Sequence, residues 1–86
     1  MAEFDNIPTI ESGIYEHYKG NRYRVLGVGC HTETNEYFVV YSPLDVHEGL
    51  PNMWIRPFTM FTEQITKDGR TFPRFKKISE EVQNET

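Results

Sequence analysis

Turn-forming residues recur about every ten positions along this chain, and short runs of β-branched and aromatic residues fill the intervals. This spacing is typical of a small all-β barrel or sandwich. The 86 residues are enough for one hydrophobic core and too few for two. We therefore expect one mainly β domain at residues 13–78, after a loose acidic segment at 1–12 and before a polar acidic tail at 79–86.

The first half of the domain predicts two strands joined by a tight turn. Gly13–Tyr18 alternates in a strand pattern, and Lys19-Gly20-Asn21 follows as a turn. The second strand runs from about Arg22 to His31. Gly27 and Gly29 lie inside it, and glycine within a strand often marks a bulge or a sharp bend.

The second half predicts two more strands, a helical turn and a hairpin. Tyr37–Tyr41 is apolar throughout and is predicted to be a central strand, and Met53–Arg56 a short one. Between them, residues 42–52 form a long loop, and Pro57–Phe61 suits a helical or 3-10 turn. Glu63–Phe75 turns at an Asp-Gly pair. The whole pattern predicts a small SH3-like barrel of about five strands, with an OB-like or another small barrel as the alternative.

Six short motifs occur in order along this domain. They are Gly13-x-Tyr15-x-His17-Tyr18-Lys19-Gly20, Tyr23-x-Val25-Leu26-Gly27-Val28, His31-Thr32-Glu33-Thr34, Val39-Val40-Tyr41, Trp54-Ile55-Arg56-Pro57-x-x-Met60-Phe61 and Pro73-Arg74-Phe75. The set resembles a family of small, mostly bacterial proteins catalogued as domain of unknown function 1653. The resemblance spans residues 13–78 and implies an SH3-type barrel, but it implies no activity. The loop after Tyr41 is longer than in most members.

The charge pattern places a mildly basic body between two acidic ends. All nine Lys and Arg residues lie between positions 17 and 79, with six of the thirteen acidic residues, so this body carries +3 while the chain carries −4. Such a body is weakly basic beside typical nucleic-acid-binding domains. The longest apolar run, Tyr37–Tyr41, is too short to cross a membrane, and the N-terminus lacks the pattern of a signal peptide. We expect a cytoplasmic protein with no membrane partner.

Twelve aromatic residues are more than a core of this size needs. The strand pattern predicts a core of Ile14, Val25, Leu26, Val28, Val39, Ile55, Phe61 and Ile65. The surplus, including Tyr15, Tyr41 and Trp54, is then available to line a groove. Aromatic grooves suit peptides, and aromatic residues interleaved with Lys and Arg suit unstacked bases.

Basic residues and histidines complete the candidate ligand-binding groove. Trp54 and Arg56 share one face of a short strand, and both residue types are enriched in binding hot spots. Arg56 either binds a ligand anion or pairs with an acidic residue such as Glu16 or Glu36. The remaining candidates are His17, Lys19, His31 and Arg74. His17 alternatively fixes the turn that follows it, and Arg74 alternatively is a solvated edge charge.

Catalytic and metal-binding patterns are absent from the sequence. His17, His31 and His47 lack the close spacing of zinc ligands, so we expect no metal and no cofactor. Cys30 is predicted to be a small buried residue. His31 and Glu33 are two positions apart, so a Glu33 carboxylate that orients the His31 imidazole is a weaker hypothesis.

The sequence thus favours a non-catalytic module that binds a protein or peptide through an aromatic and basic groove. Single-stranded nucleic-acid binding is the alternative. The third candidate is an enzyme that holds a small anionic ligand with Arg56 and uses His17 or His31 as a base.

Overall fold

The fold is mostly β, as the spacing of turns predicts. The structure, a computed structural model, describes residues 7–45 and 48–80. In these ranges it contains seven strands and one helical turn: β1 (Gly13–His17), β2 (Arg22–His31), β3 (Glu36–Pro43), β4 (Trp54–Pro57), α1 (Phe58–Phe61), β5 (Gln64–Lys67), β6 (Arg70–Pro73) and β7 (Phe75–Ser79). The first four strands and α1 lie within two residues of their predicted bounds.

The strands form two antiparallel sheets. A five-stranded sheet has the order β4-β3-β2-β1-β7, and β5 pairs with β6 in a second, two-stranded sheet. These sheets do not close on each other, so the predicted barrel is not confirmed. The sequence did not predict β7, which pairs with β1 and forms the edge opposite β4.

A β-bulge at Leu26 reverses the alternation of β2. Val25 pairs with Tyr41 and Gly27 with Val40, so Leu26 has no partner on β3. Gly27 adopts φ 155°, which favours glycine. The bulge turns Leu26 toward solvent, where 44% of its surface is exposed. The sequence correctly predicted a bulge here, but its placement of Leu26 in the core is wrong.

The core lies on one face of the five-stranded sheet, under α1. Its buried cluster consists of Tyr15, Val25, Val39, Tyr41, Phe61 and Phe75. Phe61 of α1 stacks on Phe75 of β7 with ring centroids 3.9 Å apart. This contact explains the position of α1: fully burying a large side chain of this kind contributes about 1.5–3 kcal/mol.

Half of the predicted core is confirmed. Ile14, Val25, Val39 and Phe61 are buried, whereas Val28 and Ile65 are half-buried. The placement of Ile55 in the core is wrong, because 61% of its surface is exposed. On β4, Trp54 and Arg56 take the core side, and alternation therefore places Ile55 on the opposite face.

The β5–β6 hairpin turns where the Asp-Gly pair predicts. Asp68 and Gly69 have φ of 55° and 77°, as a tight hairpin turn requires. At the base of the hairpin the Arg74 N–H donates to the Glu63 carbonyl at 2.9 Å. The Tyr18 N–H, next to β1, donates to the Arg74 carbonyl at 2.9 Å and so links the hairpin to the large sheet.

The segment before β1 is held by β7. The Lys77 ammonium lies 2.8 Å from the Glu11 carboxylate and also pairs with Glu80. The Tyr15 hydroxyl donates to the Glu11 carbonyl at 2.8 Å, and Ile10 packs on the core. The hydrogen bond from Lys77 lowers the pKa of Glu11. Residues 1–6 and 81–86 of the acidic ends lie outside the described ranges.

Candidate functional site

The core face of the five-stranded sheet continues beyond the buried cluster as a half-buried surface. We call it the aromatic–arginine face and define it by Tyr23, Trp54, Arg56, His17 and the edge of Phe75. Strand register brings these residues together: Trp54 pairs with Tyr41, Tyr15 with Tyr23, and His17 with Phe75. Tyr23 and Trp54 are partly buried and pack against the core.

The aromatic rings of this face contact one another in edge-to-face and tilted arrangements. The Tyr23 centroid lies 5.2 Å from Tyr41 and 5.8 Å from both Trp54 and Phe75. These separations are in the range that aromatic pairs prefer. The Trp54 indole N–H donates to the Pro51 carbonyl at 2.9 Å, which fixes the end of the preceding loop. We call the packed rings of Tyr23, Tyr41, Trp54 and Phe75 the aromatic floor.

Arg56 lies on this floor. Its Nε donates to the Tyr41 hydroxyl at 3.2 Å, and its Cζ lies 5.4 Å from the centroid of the Phe75 ring. Arginine over an aromatic face is attracted by the ring quadrupole. Within residues 7–45 and 48–80, no carboxylate lies within ion-pair distance of the Arg56 guanidinium.

The acidic residues that the sequence offered as partners of Arg56 have other contacts. Glu16 pairs with Arg22 at 3.4 Å, and Glu36 accepts a hydrogen bond from the Thr34 hydroxyl at 3.2 Å. Arg56 is instead held by a hydroxyl and a ring, both uncharged. Its positive charge is therefore not neutralised by the described part of the protein.

His17 borders Arg56 across the Phe75 ring. The imidazole centroid lies 4.9 Å from that of Phe75 and 4.6 Å from that of Tyr18. Its Nδ1 accepts the Lys19 backbone N–H at 3.1 Å, so His17 does fix the turn after β1. Partial burial, and then the positive charges of Arg56, Arg74 and Lys19, lower the pKa of His17 below 6.5.

Arg74 and Lys19 differ in their availability to a ligand. Arg74 is half-buried, and its Nη2 lies 2.8 Å from the Glu63 carboxylate, so its charge is already paired. It is therefore not the solvated edge charge that the sequence offered as an alternative. Lys19 is exposed, with its Nζ 5.9 Å from the centroid of the Tyr18 ring.

Tyr15 and Tyr41 are core residues and not surplus aromatics. Only 8% of the surface of Tyr15 and 3% of that of Tyr41 is exposed. Their expected place outside the core is wrong, because five strands and α1 leave them in the centre of the cluster. Tyr41 still reaches the candidate site through its hydroxyl on Arg56.

His31 lies away from the aromatic–arginine face, at the far end of β2. Eight positions separate it from Tyr23, or roughly 25 Å at strand rise. Its Nδ1 accepts the Glu33 backbone N–H at 3.3 Å, so Glu33 contacts the imidazole through its backbone and not through its carboxylate. Cys30 is exposed, and its predicted burial is wrong because the end of β2 extends past the core.

The described residues contain no group of three His, Cys, Asp or Glu side chains that could hold a metal ion. His47, the third histidine considered as a ligand, lies outside the described ranges. Within those ranges there is also no helix long and apolar enough to span a bilayer.

Sequence reasoning missed Tyr23 and Phe75 as parts of the site. Tyr23 shares a strand face with Val25, and Phe75 falls at the end of the predicted hairpin. The sequence signal for Tyr23 was its alternation with Val25, but only the pairing of β2 with β3 and β4 brings it beside Trp54.

Comparison with known proteins places the chain in a family. No curated protein matches it. Among solved structures, it is similar to the crystal structure of a protein of the DUF1653 family from Bordetella bronchiseptica: the two are 34% identical, the match covers 88% of this chain and 95% of the other, and the TM-score is 0.75. The family model described as "Protein of unknown function (DUF1653)" matches residues 13–77. The chain therefore belongs to the DUF1653 family.

Proposed function

We propose that the protein is a non-catalytic binding module whose aromatic–arginine face holds a segment of a protein or peptide. The segment would present a carboxylate beside an apolar or aromatic side chain. The observation that carries this proposal is the state of Arg56, a half-buried guanidinium that is fixed on an aromatic floor and has no carboxylate partner among the described residues.

The chemistry of Arg56 suits a carboxylate. A guanidinium has five N–H donors, and the Tyr41 hydroxyl takes only the one on Nε. The terminal nitrogens can form two parallel hydrogen bonds with one carboxylate, which is a strong, charge-assisted contact. Because Tyr41 and Phe75 already restrict the side chain, less conformational entropy is lost when a ligand binds.

The surrounding rings provide the apolar part of the contact. Trp54 and Tyr23 are half-buried neighbours, so each retains surface that a ligand side chain can cover. Tryptophan, tyrosine and arginine are the residues most enriched in binding hot spots. A ligand carboxylate at Arg56 would also oppose the positive charges that lower the pKa of His17.

The first experiment is affinity capture of partners, with quantitative mass spectrometry, using the wild type, Trp54→Ala and Arg56→Met. Arg22→Met is the matched control, because it removes an exposed arginine that is outside this face and already paired with Glu16. The proposal expects a partner that the wild type and the control retain and that both site variants lose. Thermal unfolding checks that each variant is folded.

The second experiment uses the captured partner. A peptide from its contact segment is titrated into ¹⁵N-labelled protein, and the Trp54 indole N–H reports on the site. Replacing the acidic residues of the peptide with Gln should weaken binding by tenfold or more, since a charge-assisted hydrogen bond contributes about 1.5–3 kcal/mol. Equal capture by wild type and both site variants contradicts the proposal.

A further inference from the structure

A second surface lies beside the aromatic–arginine face, where the β5–β6 hairpin meets the β1–β2 turn. Tyr18 and Phe72 are half-buried there, with ring centroids 5.7 Å apart and planes inclined by 45°. The hydrogen bond from the Tyr18 N–H to the Arg74 carbonyl fixes the two elements together. We call this pair of rings the Tyr18–Phe72 ridge.

The ridge separates two open clefts. One, of about 340 Å³, is lined by Lys19 and Lys76 together with the ridge. The other, of about 510 Å³, is lined by Lys67 and Arg70 together with the ridge. Both clefts share Tyr18 and Phe72, so an extended ligand that follows the surface from one cleft to the other passes over the two rings.

The charge of this surface is positive. Each cleft carries two basic residues and one carboxylate, which are Glu16 in the first and Asp68 in the second. Glu16 is already paired with Arg22. In the part of the chain that the structure describes, none of the four cations of the clefts forms an ion pair. Nearly half of the nine Lys and Arg residues therefore line this one surface.

We propose that the Tyr18–Phe72 ridge and its two clefts bind single-stranded nucleic acid. An unstacked base lies against the ridge, and the phosphates on either side contact Lys19 and Lys76 or Lys67 and Arg70. Aromatic rings next to a basic groove are the usual means by which proteins hold single strands without sequence preference. A duplex is not favoured, because its bases are stacked and cannot reach the rings.

This site is separate from the aromatic–arginine face and does not depend on the function proposed for it. The two surfaces adjoin at His17, which lines the first cleft and also contacts Phe75. Arg56 does not line either cleft. Substitution of Arg56 therefore tests the first proposal without removing a charge from the ridge.

The test is fluorescence anisotropy with a labelled, mixed-sequence RNA of ten nucleotides, in a series from 50 to 200 mM salt. Four phosphate contacts on a single strand give a slope of about −3 in a plot of log affinity against log salt, so affinity falls about 50-fold over the series. Arg70→Gln should reduce the size of the slope by about 0.7. Arg56→Gln, the matched control, should leave it unchanged.

The contribution of the base is tested separately. Tyr18→Leu should weaken RNA binding at least about fivefold, as loss of one stacked base does. Inorganic polyphosphate of the same charge should bind more weakly than the RNA and equally to wild type and Tyr18→Leu. If Tyr18→Leu is unfolded by circular dichroism, the exposed Arg70 still provides the comparison with Arg56.

Three outcomes overturn the proposal. The first is no RNA binding at 50 mM salt. The second is an equal loss for Arg70→Gln and Arg56→Gln, which would show diffuse attraction with no defined site. The third is polyphosphate that binds as tightly as RNA, which would show a general anion surface where the rings have no role.

Discussion

The hydrogen bond between Tyr41 and Arg56 joins the core to the candidate site, and Tyr41→Phe removes it with little other change. Only 3% of the surface of Tyr41 is exposed, and its ring centroid lies 5.3 Å from that of Phe61. Phenylalanine keeps these ring contacts. The substitution deletes one oxygen, the acceptor of the Arg56 Nε–H at 3.2 Å.

The expected loss is about 1 kcal/mol in the free energy of unfolding. A hydrogen bond to a charged group contributes about 1.5–3 kcal/mol. The value here is at the lower end or below it, because 3.2 Å is long for such a bond. In Tyr41→Phe the half-buried Arg56 also loses this contact and can then turn toward water. For a domain of this size, 1 kcal/mol lowers the melting temperature by about 4–8 °C.

The assay is thermal and urea unfolding of Tyr41→Phe, Arg56→Met and the double variant. Tyr37→Phe is the matched control, because the described structure gives the Tyr37 hydroxyl no hydrogen-bond partner. This variant should change the free energy of unfolding by close to zero. The double-variant cycle should give a coupling energy of about 1 kcal/mol between Tyr41 and Arg56. If Tyr41→Phe lowers the free energy of unfolding as much in Arg56→Met as in the wild type, the reasoning is refuted.

Four further predictions concern backbone strain, the charge near His17, the pH dependence of stability and the bulge. Gly13→Ala should lower the free energy of unfolding by about 2–3 kcal/mol, because a Cβ there would lie 2.7 Å from a carbonyl oxygen of β7. Gly20→Ala, at positive φ but in open space, should lower it by about 1 kcal/mol. Equal losses for the two variants in urea unfolding would contradict the steric argument. Arg56→Met should raise the pKa of His17 measured by NMR, since Arg56 is one cause of its depression, and an unchanged titration would show that the two groups do not interact. Because the folded-state pKa of His17 lies below 6.5, its contribution to stability is complete above pH 6.5 and is lost as the pH falls through the folded-state pKa; a contribution that grows on acidification would have the wrong sign. Leu26→Ala should cost about 0.5 kcal/mol, as for a surface residue, and a loss of several kcal/mol would mean that Leu26 packs in the core.

Local sequence patterns predicted the elements of this fold well. Asp68-Gly69 marked the hairpin, Gly27 marked the bulge, and Pro57 marked the start of the helical turn; each does so through a backbone property of one or two residues. Such signals depend only on neighbours in the chain. The Lys19-Gly20-Asn21 turn is a signal of the same kind, and β2 begins directly after it, close to the predicted Arg22.

The errors concern properties that depend on strand pairing. Alternation alone cannot show which face of β4 meets the core, so Ile55 was placed inside and Arg56 was taken as part of an outer groove. Likewise β7 has no strong apolar pattern, and only its pairing with β1 brings Phe75 under Arg56. The sequence named Trp54, Arg56 and His17 as candidate site residues, but only the strand register shows that they lie together around the rings of Tyr23 and Phe75.

The continuity between the core and the aromatic–arginine face makes the melting temperature a reporter of occupancy. A ligand of this face contacts Arg56 and Trp54, which themselves contact the core residues Tyr41 and Phe75. Such a ligand binds the folded chain and not the unfolded one. At a concentration of 100 times its dissociation constant, it would add about 2.7 kcal/mol to the stability. In a domain this small, that corresponds to an increase of more than about 10 °C. Libraries of peptides or metabolites can therefore be screened by heating the unlabelled protein, with Arg56→Met as the counter-screen.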